Sequence, residues 1–350
     1  MNPIPQTAAR LLDEGRPFVL ATIVSRHGST PRTAGTRMIV TADGGIRGTI
    51  GGGLVEAKVI AAAGGVLRSK HPQVIPFDLT RSEVADMDMI CGGRLEVLLE
   101  CVAPGTPAEG VLRGWRDALA RRQACRVVTV IRFSGATVAG TDHLLIQDRR
   151  VVFGGRSLSD EALERILDKG GGAGDLRSVA LGGDLAVVES VLPGETVYLF
   201  GAGHVAHPTS RLAAFAGFRI VVVDDRPEFA SLERFPDAED VRVVPDFGAA
   251  LNGCRLDPDA FVVILTRGHL HDKTVLAQAL RTDAGYIGMI GSRRKRDHIY
   301  AALLQEGFTE ADLQRVFSPI GLPIDAETPE EIAFSIVAEL IQVRARRRRS

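Results

Sequence analysis

The pattern of hydrophobic and polar residues changes character along the chain. Up to residue 190, short apolar runs with polar alternation are separated by glycine-rich turns, which is typical of antiparallel strands. From residue 194 onward, more fully apolar runs alternate with helical segments, and that rhythm predicts a parallel sheet with helices on both faces. We therefore expect an α/β protein, in which an α+β N-terminal domain precedes a C-terminal Rossmann-like domain with a doubly wound parallel sheet.

The predicted elements follow from these runs and from the turn residues between them. In the N-terminal half we expect helices at 7–14, 54–67 and 104–122 and strands at 18–25, 37–41, 46–50, 73–79, 94–101, 126–133 and 143–152. In the C-terminal half we expect helices at 204–215 and 329–344 and strands at 196–200, 219–223, 241–244, 260–266 and 286–290. The glycines at 170–174 and 182–183 predict a loop-rich connection, and we find no internal repeat. The expected divisions are an N-terminal domain over 1–190, of which 105–190 carries no motif that we can place, a Rossmann-like domain over 194–343 and a basic tail over 344–350.

A strand, a glycine turn, a helix and a second strand follow one another in residues 196–225. Gly201 permits a tight turn, and Gly203 lets the backbone approach a phosphate without a Cβ in the way. Ala206 stands at the third position of the dinucleotide-binding fingerprint, where a small residue allows close helix–strand packing. The helix that begins at His204 offers free N–H groups and a positive dipole end, which suit a phosphate. This order of elements predicts a Rossmann unit.

The second strand of this unit ends in an acid. Asp224 stands where a carboxylate accepts hydrogen bonds from a ribose hydroxyl, so the unit is expected to bind a nucleotide-like ligand. Arg226 follows closely, and the choice between NAD and NADP stays open because an arginine at this edge accommodates a ribose phosphate.

Further polar side chains follow two later strands of the same predicted sheet. Arg267 and His269 come after the strand at 260–266, and Ser292 comes after the strand at 286–290, just before a basic helix start. Because loops at the carboxyl ends of parallel strands face the ligand crevice, we take these residues as candidate ligand contacts. A helix start with exposed histidines explains the first group nearly as well.

The N-terminal half contains a second glycine corner. Gly51, Gly52 and Gly53 run straight into a predicted helix, where exposed backbone N–H groups can hold a phosphate or a carboxylate. Glu56, one turn into that helix, either caps free amides or binds a polar edge of a ligand. A tight turn with close packing explains the glycines equally well. The loop at 27–32, with a histidine, two hydroxyls and an arginine, suits a polar heterocycle or phosphate but is also an ordinary solvated turn.

Composition narrows the classes of protein. With 350 residues, 45% hydrophobic and 24% charged, the chain has the balance of a soluble globular protein with substantial cores. A net charge of −1 gives no reason to expect nucleic acid, and no segment has the pattern of a membrane span or a signal peptide. The four cysteines show no CxxC or zinc-ligand spacing, which fits a reducing cytoplasm. We expect a cytoplasmic protein with neither nucleic acid nor membrane as a partner.

One cysteine has a chemical interpretation of its own. Cys91 lies between Met89-Ile90 and Gly92-Gly93, where glycines leave a thiol accessible to handle sulfur or to bind a soft metal such as molybdenum. Free cysteines are more often small buried hydrophobic residues, and that interpretation stays open.

Seven segments together resemble one known family, the XdhC/CoxI family of xanthine dehydrogenase accessory proteins. In chain order they are GTIGGGLVEA, MICGG, FGAGHVA, DDRPEFA, TRGHLHD, YIGMIGSRRK and SPIGLPIDAETPEEIAFSIVAEL. The resemblance implies a maturation factor that binds the molybdenum cofactor (molybdopterin) as cargo and inserts it into an apo molybdenum hydroxylase of the xanthine dehydrogenase or aldehyde oxidoreductase type. It also implies a cysteine desulfurase as a partner and no turnover of its own, and we consider a homodimer as well.

The resemblance carries over to particular residues of this chain. It makes the Gly51–Gly53 corner, Cys91 and the turn from Gly201 to His204 candidate contacts for the cofactor. Some relatives have a cysteine directly after the glycine run, where this chain has Leu54, so Cys91 is the better candidate for a thiol role.

Two other functions compete with the chaperone hypothesis. An NAD(P)-dependent oxidoreductase is suggested by the Rossmann unit, with His269 and His271 available for acid–base chemistry. A metal hydrolase could use the same histidines with Asp272, but further ligands at a recognisable spacing are missing. Since a fold does not imply a function, the dinucleotide fingerprint alone does not decide between them.

Overall fold

The computed structural model describes residues 4–28, 30, 32–79, 93–154, 158–168 and 176–347. Contacts within the chain define two compact units, which meet in the sequence at the Pro193–Gly194 bond. Over the described residues, no helix is long and apolar enough to cross a membrane.

The N-terminal unit is built on two antiparallel sheets. In chain order its elements are α1 (Ile4–Asp13), β1 (Phe18–His27), β2 (Arg37–Thr41), β3 (Ile46–Gly48), α2 (Gly53–Ser69), β4 (Gln73–Asp78), β5 (Arg94–Val102), α3 (Pro107–Ala120), β6 (Cys125–Ser134), β7 (Thr137–Gln147), β8 (Arg150–Gly154), α4 (Asp160–Asp168), β9 (Leu176–Leu181) and β10 (Asp184–Val191). The described strands form two sheets of five, ordered β3-β2-β1-β5-β4 and β8-β7-β6-β10-β9.

These two sheets follow the same chain path. Each half of the unit runs through a helix, three strands, a second helix and two strands, and each sheet has the first strand of its half at the centre. The unit is therefore an internal structural repeat over 4–102 and 107–191. The expectation that the chain contains no repeat was wrong, because the two halves share a topology without sharing a recognisable sequence pattern.

The strand registers identify equivalent residues in the two halves. The matching positions are Thr22 with Thr129, Arg37 with His143, Gly48 with Gly154 and Glu100 with Glu189. The two glycines show how closely the halves agree, since their φ values are 79° and 76°. A Cβ on Gly48 would lie 2.7 Å from the carbonyl oxygen of Arg37, and one on Gly154 would lie 1.7 Å from that of His143. Both strand ends thus require glycine for the same steric reason.

The two halves exchange equivalent charged contacts. Arg37 of the first half pairs with Glu189 of the second, and Nε2 of His143 in the second half lies 2.7 Å from Oε2 of Glu100 in the first. Arg37, His143 and Glu100 are each at most 6% exposed. Such reciprocal pairing is the pattern of a two-fold symmetric interface, in which residue i meets j and j meets i.

The repeat explains where the sequence prediction failed between 105 and 190. The strand predicted at 143–152 is two strands, β7 and β8, because Asp148 and Arg149 adopt φ values of 46° and 59° and turn the chain. The stretch predicted as a loop-rich connection contains α4 and the β9–β10 hairpin. Gly182, interpreted as a loop glycine, occupies the turn of that hairpin with φ 64°.

The C-terminal unit has one parallel sheet. Its elements are β11 (Thr196–Phe200), α5 (Ala206–Phe215), β12 (Arg219–Asp224), β13 (Asp240–Val243), β14 (Ala260–Ile264), α6 (His269–Ala279), β15 (Tyr286–Met289), α7 (Arg293–Gln305), α8 (Glu310–Leu313), β16 (Val316–Phe317) and α9 (Pro329–Arg347). The strand order is β13-β12-β11-β14-β15-β16, with every adjacent pair parallel. This is the doubly wound order of the Rossmann fold, so the predicted fold class is confirmed.

Helices cover both faces of this sheet. One core cluster contains the buried residues of α6 and α7, and the other contains those of α5 and α9. The strands β11, β12 and β14 read as continuous apolar runs because both of their faces are covered. The order reverses between β11 and β14, and ligands of open α/β sheets bind at the carboxyl ends of the strands at such a switch point.

The last helix extends further than the sequence predicted. Residues 344–347, predicted as part of a basic tail, continue α9. Arg344 donates from Nη1 to the carbonyl oxygen of Ala216 at 3.1 Å, and its guanidinium lies 4.1 Å from the ring centroid of Phe218. These contacts attach the basic end of the helix to the Rossmann unit, since an arginine over an aromatic face is attracted to it.

Candidate functional site

The glycine turn after β11 lies at the switch point. Gly201 has a φ of 107°, and a Cβ there would lie 2.4 Å from the carbonyl oxygen of Leu265. Its own N–H donates to the carbonyl oxygen of Val223 at 2.8 Å, so the turn is held between two neighbouring strands. A Cβ on Gly203 would meet nothing within 4 Å. The first glycine is therefore required by the fold, and the second faces the open space that a ligand needs.

The acid at the end of β12 is buried under an arginine. Asp224 is 1% exposed, and its Oδ2 accepts from the backbone N–H of Ala202 at 2.7 Å. Arg226 donates to the same carboxylate from its backbone N at 3.0 Å, from Nε at 2.9 Å and from Nη2 at 3.0 Å. Asp224 thus fixes the glycine turn and the following arginine, and its role as a ribose acceptor stays a prediction.

The next acid holds the predicted contact Arg267. Both Nη atoms of Arg267 donate to Asp225, one of them to Oδ2 at 2.6 Å, which makes a bidentate pair across the carboxyl ends of β12 and β14. These hydrogen bonds lower the pKa of Asp225 to about 2, against a smaller opposing effect of burial. The two acids after β12 are therefore both neutralised by arginines at this edge of the sheet.

The start of α7 is strongly basic. Ser292, a predicted contact, is the N-cap of this helix, and its Oγ accepts from the backbone N–H of Lys295 at 3.2 Å. Cations oppose the positive dipole end of a helix, yet the first turn carries arginines or lysine at 293–296 and no acid. Arg293 and Arg294 are exposed and have no ion-pair partner among the described residues. This end of the crevice therefore attracts anions.

A buried ion pair joins the loops after β14 and β15. The carboxylate of Asp272, 0% exposed, pairs with Nζ of Lys295 and accepts from Oγ1 of Thr266 at 2.6 Å. Burial raises the pKa of Asp272, although Lys295 and Thr266 both act to lower it. Asp272 makes no side-chain cap for α6, so its role here is to tie two crevice loops together.

The histidines near this pair do not form a metal centre. The ring of His269 lies 6.1 Å from that of His298, and the ring of His271 lies 5.1 Å from that of Phe247. Over the described residues, no group of three or more His, Cys, Asp or Glu side chains has the arrangement of a metal site. The metal-hydrolase hypothesis therefore receives no support from this part of the chain.

The glycine corner before α2 uses Glu56 as its internal anion. Oε1 of Glu56 accepts from the backbone N–H groups of Ile50 at 3.0 Å and Gly52 at 2.8 Å, and from Oγ1 of Thr49 at 2.5 Å. The N–H of Gly51 donates to Oγ1 of Thr49 at 3.1 Å. Two of the glycine amides predicted to hold a ligand phosphate are thus already engaged, as the capping interpretation of Glu56 anticipates. Gly53 is the first residue of the helix.

This corner should make stability depend on pH. Burial opposes ionisation of Glu56, but the hydrogen bonds from Thr49 and the loop amides outweigh it and lower its pKa from 4.5. The ionised form therefore stabilises the fold above the unfolded-state pKa, and this contribution is lost as pH falls through the lower folded-state pKa. We expect Glu56→Gln to cost about 1 kcal/mol at neutral pH and much less near pH 3. Urea unfolding at both pH values tests this, and an equal cost at the two would contradict it.

The two N-terminal motifs line one cavity. It has a volume of about 400 Å³ and is bounded by the loop from Arg32 to Arg37, by Gly48 and Thr49, and by Glu189. Arg32 is exposed and has no ion-pair partner among the described residues, whereas Arg37 and Glu189 form a buried, neutralised wall. Cavities of this size are within the range that holds small molecules.

This cavity exists because the two halves of the repeat differ. Nine residues, 28–36, connect β1 to β2, whereas two residues, 135–136, connect β6 to β7. The longer connection supplies most of the cavity wall. Sequence reasoning noticed this loop but missed Arg37 and Glu189, because no local signal links residues 152 positions apart.

The cysteines divide into one outside the description and three that are poorly reactive. Cys91 lies outside the described residues. Burial raises the pKa of the Cys125 thiol to about 12, and it also raises the pKa values of Cys101 and Cys254. These three remain neutral thiols at physiological pH and behave as core residues, as expected.

Comparison with known proteins matches both units. The family profile described as the XdhC Rossmann domain matches residues 197–340, and that of the XdhC and CoxI family matches residues 11–78. The chain is 30% identical over 349 residues to a Bacillus subtilis (strain 168) protein named as one probable component of xanthine dehydrogenase, and the match covers 96% of each chain. The chain belongs to the XdhC and CoxI family. The predicted resemblance is thereby confirmed.

Other proteins similar to this XdhC/CoxI chain differ in how much of their length is covered. A crystal structure from Bacillus halodurans, described as a xanthine dehydrogenase, has a TM-score of 0.80 and 29% identity, and covers 98% of this chain and 96% of that one. The molybdenum cofactor insertion chaperone PaoD of Escherichia coli (strain K12) is 22% identical over 339 residues, 96% of this chain and 86% of its own. The uncharacterized protein YqeB of the same organism is 28% identical over 337 residues, but the chain spans 45% of its length.

Proposed function

We propose that this protein binds the molybdenum cofactor and delivers it to an apo molybdenum hydroxylase in the cytoplasm. The observation that carries the proposal is the cavity of the N-terminal unit, in which two segments of the family pattern meet beside a free guanidinium. The name of the PaoD relative, an insertion chaperone for this cofactor, agrees with it. The cofactor is a pterin with a phosphate, and the cavity offers cationic and hydroxyl groups to such a molecule.

The residues of the cavity have distinct tasks in this proposal. Arg32 forms charge-assisted hydrogen bonds with the phosphate, because its guanidinium is exposed at the cavity and unpaired. The carbonyl oxygen of Arg32 accepts from Oγ1 of Thr30 at 2.9 Å, and Oγ1 of Thr36 donates to the carbonyl oxygen of Thr33 at 2.7 Å. These bonds hold the loop in shape before the cargo arrives. The neutralised pair of Arg37 and Glu189 closes one wall without adding net charge.

The remaining parts of the proposal concern sulfur and partners. We assign the thiolate of Cys91 to contact with the metal or its sulfido ligand, while a cysteine desulfurase supplies that sulfur. The apo-hydroxylase is the recipient. In this scheme the protein carries its cargo and does not turn it over.

A variant of Arg32 tests the proposal. We expect the protein purified without oxygen from a host with working cofactor synthesis to release a pterin on acid treatment, detected by mass spectrometry. Arg32→Ala should retain about ten- to a hundredfold less, because a hydrogen bond to a charged group contributes about 1.5–3 kcal/mol. Arg121→Ala is the control, since Arg121 is exposed and does not line the cavity. Absence of pterin from the wild type, or equal retention by both variants, would contradict the proposal.

We propose separately that the crevice of the C-terminal unit binds a nucleotide. The support is the doubly wound strand order, the open space at Gly203 and the basic start of α7. A nicotinamide nucleotide released in the same mass-spectrometric experiment would support this second proposal. Steady consumption of NADH or NADPH by the purified protein would favour the oxidoreductase alternative.

A further inference from the structure

We infer that Arg226 makes the ribose end of the Rossmann crevice selective for a phosphorylated ribose, so that the ligand is a 2′-phosphorylated nucleotide such as NADP(H). This inference rests on the second proposed function, nucleotide binding by the C-terminal unit. It does not depend on pterin binding by the N-terminal unit.

The first step is that Asp224 has no acceptor site left for a ribose. A carboxylate offers about four lone-pair directions. Four hydrogen bonds reach Asp224, one from the backbone of Ala202 and three from Arg226. With 1% of Asp224 exposed, a ribose diol would have to displace the arginine before it could reach the carboxylate. The usual determinant for an unphosphorylated ribose is therefore covered.

The second step is that Arg226 is held in place with donors to spare. Its Nε and Nη2 bind Asp224, and its guanidinium carbon lies 3.8 Å from the ring centroid of Phe229. A guanidinium has five N–H donors, so both hydrogens of Nη1 and one of Nη2 remain available. The side chain is 24% exposed, which leaves part of it accessible to a ligand. A fixed fork of this kind suits the bidentate recognition of phosphate.

The third step is that a second guanidinium reinforces the first. Arg267 is held by Asp225 and is 42% exposed. The two arginines are close enough for the positive charge of Arg267 to disfavour that of Arg226. A phosphate dianion near both would relieve this repulsion, whereas a neutral diol would not. The edge at β12 thus presents cations where an NAD-binding protein presents an accessible acid.

The position of the arginine indicates which phosphate it binds. In this fold the pyrophosphate lies at the glycine turn, and the end of the second strand faces the adenine ribose. The open side of Gly203 is available for the pyrophosphate. The Arg226 site therefore receives a phosphomonoester on the ribose. Inorganic phosphate and the pterin phosphate share this chemistry, so a test has to compare these sources.

Calorimetric titration of the full-length protein compares NADP⁺, NAD⁺ and inorganic phosphate. We expect NADP⁺ to bind at least about tenfold more tightly than NAD⁺, and phosphate to bind far more weakly than either. Arg226→Gln should weaken NADP⁺ binding by about ten- to a hundredfold and leave NAD⁺ binding equal or tighter, because the variant partly uncovers Asp224. Arg226→Lys, which keeps the charge and loses the fork, should fall between them.

Arg234→Gln is the matched control. Arg234 lies 4.7 Å from the centroid of the same Phe229 ring, but no described hydrogen bond joins it to Asp224. Its substitution should leave the preference unchanged, and melting temperatures establish that all variants are folded. Equal or tighter binding of NAD⁺ by the wild type, an unchanged preference in folded Arg226→Gln, or no binding of either dinucleotide would each overturn the inference. Tighter binding of phosphate than of NADP⁺ would show an anion site without ribose selectivity and would overturn it too. The pterin content of the same samples reports on the N-terminal proposal independently.

Discussion

Gly201→Ala is expected to destabilise the C-terminal unit by about 3 kcal/mol or more and to abolish nucleotide binding. The substitution forces a Cβ to within 2.4 Å of the carbonyl oxygen of Leu265, which is backbone and cannot swing away. It also places alanine at a φ of 107°, where an L-residue is strained. Because Gly201 joins β11 to the switch point, the strain acts on the centre of the sheet. Urea unfolding and calorimetric titration measure the two effects.

Gly203→Ala separates the fold from the ligand. A Cβ there meets nothing within 4 Å, so the free energy of unfolding should change by less than about 1 kcal/mol. Binding of a phosphorylated ligand should nevertheless weaken at least about tenfold, since the added methyl group keeps the phosphate from the backbone. If both variants retained wild-type stability, the steric account of the turn would be wrong. If Gly203→Ala bound nucleotide normally, the crevice would not use this turn.

Glu189→Gln is expected to destabilise the N-terminal unit by about 3–5 kcal/mol. The variant leaves the guanidinium of Arg37, whose side chain is 4% exposed, without its carboxylate. An arginine cannot lose its proton, so the charge stays buried and uncompensated. Denaturant unfolding monitored through Trp115, whose ring centroid lies 4.9 Å from the Arg37 guanidinium, reports on this region.

The internal repeat supplies the control for this prediction. Glu100→Gln removes the equivalent carboxylate from His143, but a histidine can shed its proton and remain buried as a neutral ring. We therefore expect Glu100→Gln to cost less than Glu189→Gln at neutral pH, by about 1–2 kcal/mol. Equal costs would mean that the permanent charge of Arg37 is not what makes its pair important.

The C-terminal unit was predictable from sequence because its signals are local. A parallel sheet buried on both faces gives continuous apolar runs, and the glycine turn lies directly between a strand and a helix. The strands predicted at 196–200 and 219–223 match β11 and β12 to within one residue. What local sequence cannot show is which donors reach a side chain, so the burial of Asp224 under Arg226 appears in three dimensions alone.

The second half of the N-terminal unit was not predictable for the opposite reason. β8 and β9 are short and mostly exposed, so they lack the alternation of buried and polar residues that identifies a strand. The pairing of Arg37 with Glu189 joins two halves of the repeat, and neither residue has a neighbour in sequence that indicates the other. The role of Glu56 lies between these cases, because its distance from the glycine corner is one helical turn and both alternatives could be stated beforehand.

The long connection between β1 and β2 has a consequence for stoichiometry. A symmetric pair of identical subunits would present two equivalent pockets, one on each copy. Here the two copies are fused, and the connection that builds the wall is nine residues long in one and two residues long in the other. One copy is thus free to change its loops for a guest while its twin keeps the shared interface intact. Each polypeptide consequently offers a single berth of this kind, and handover to a client would proceed one guest per chain.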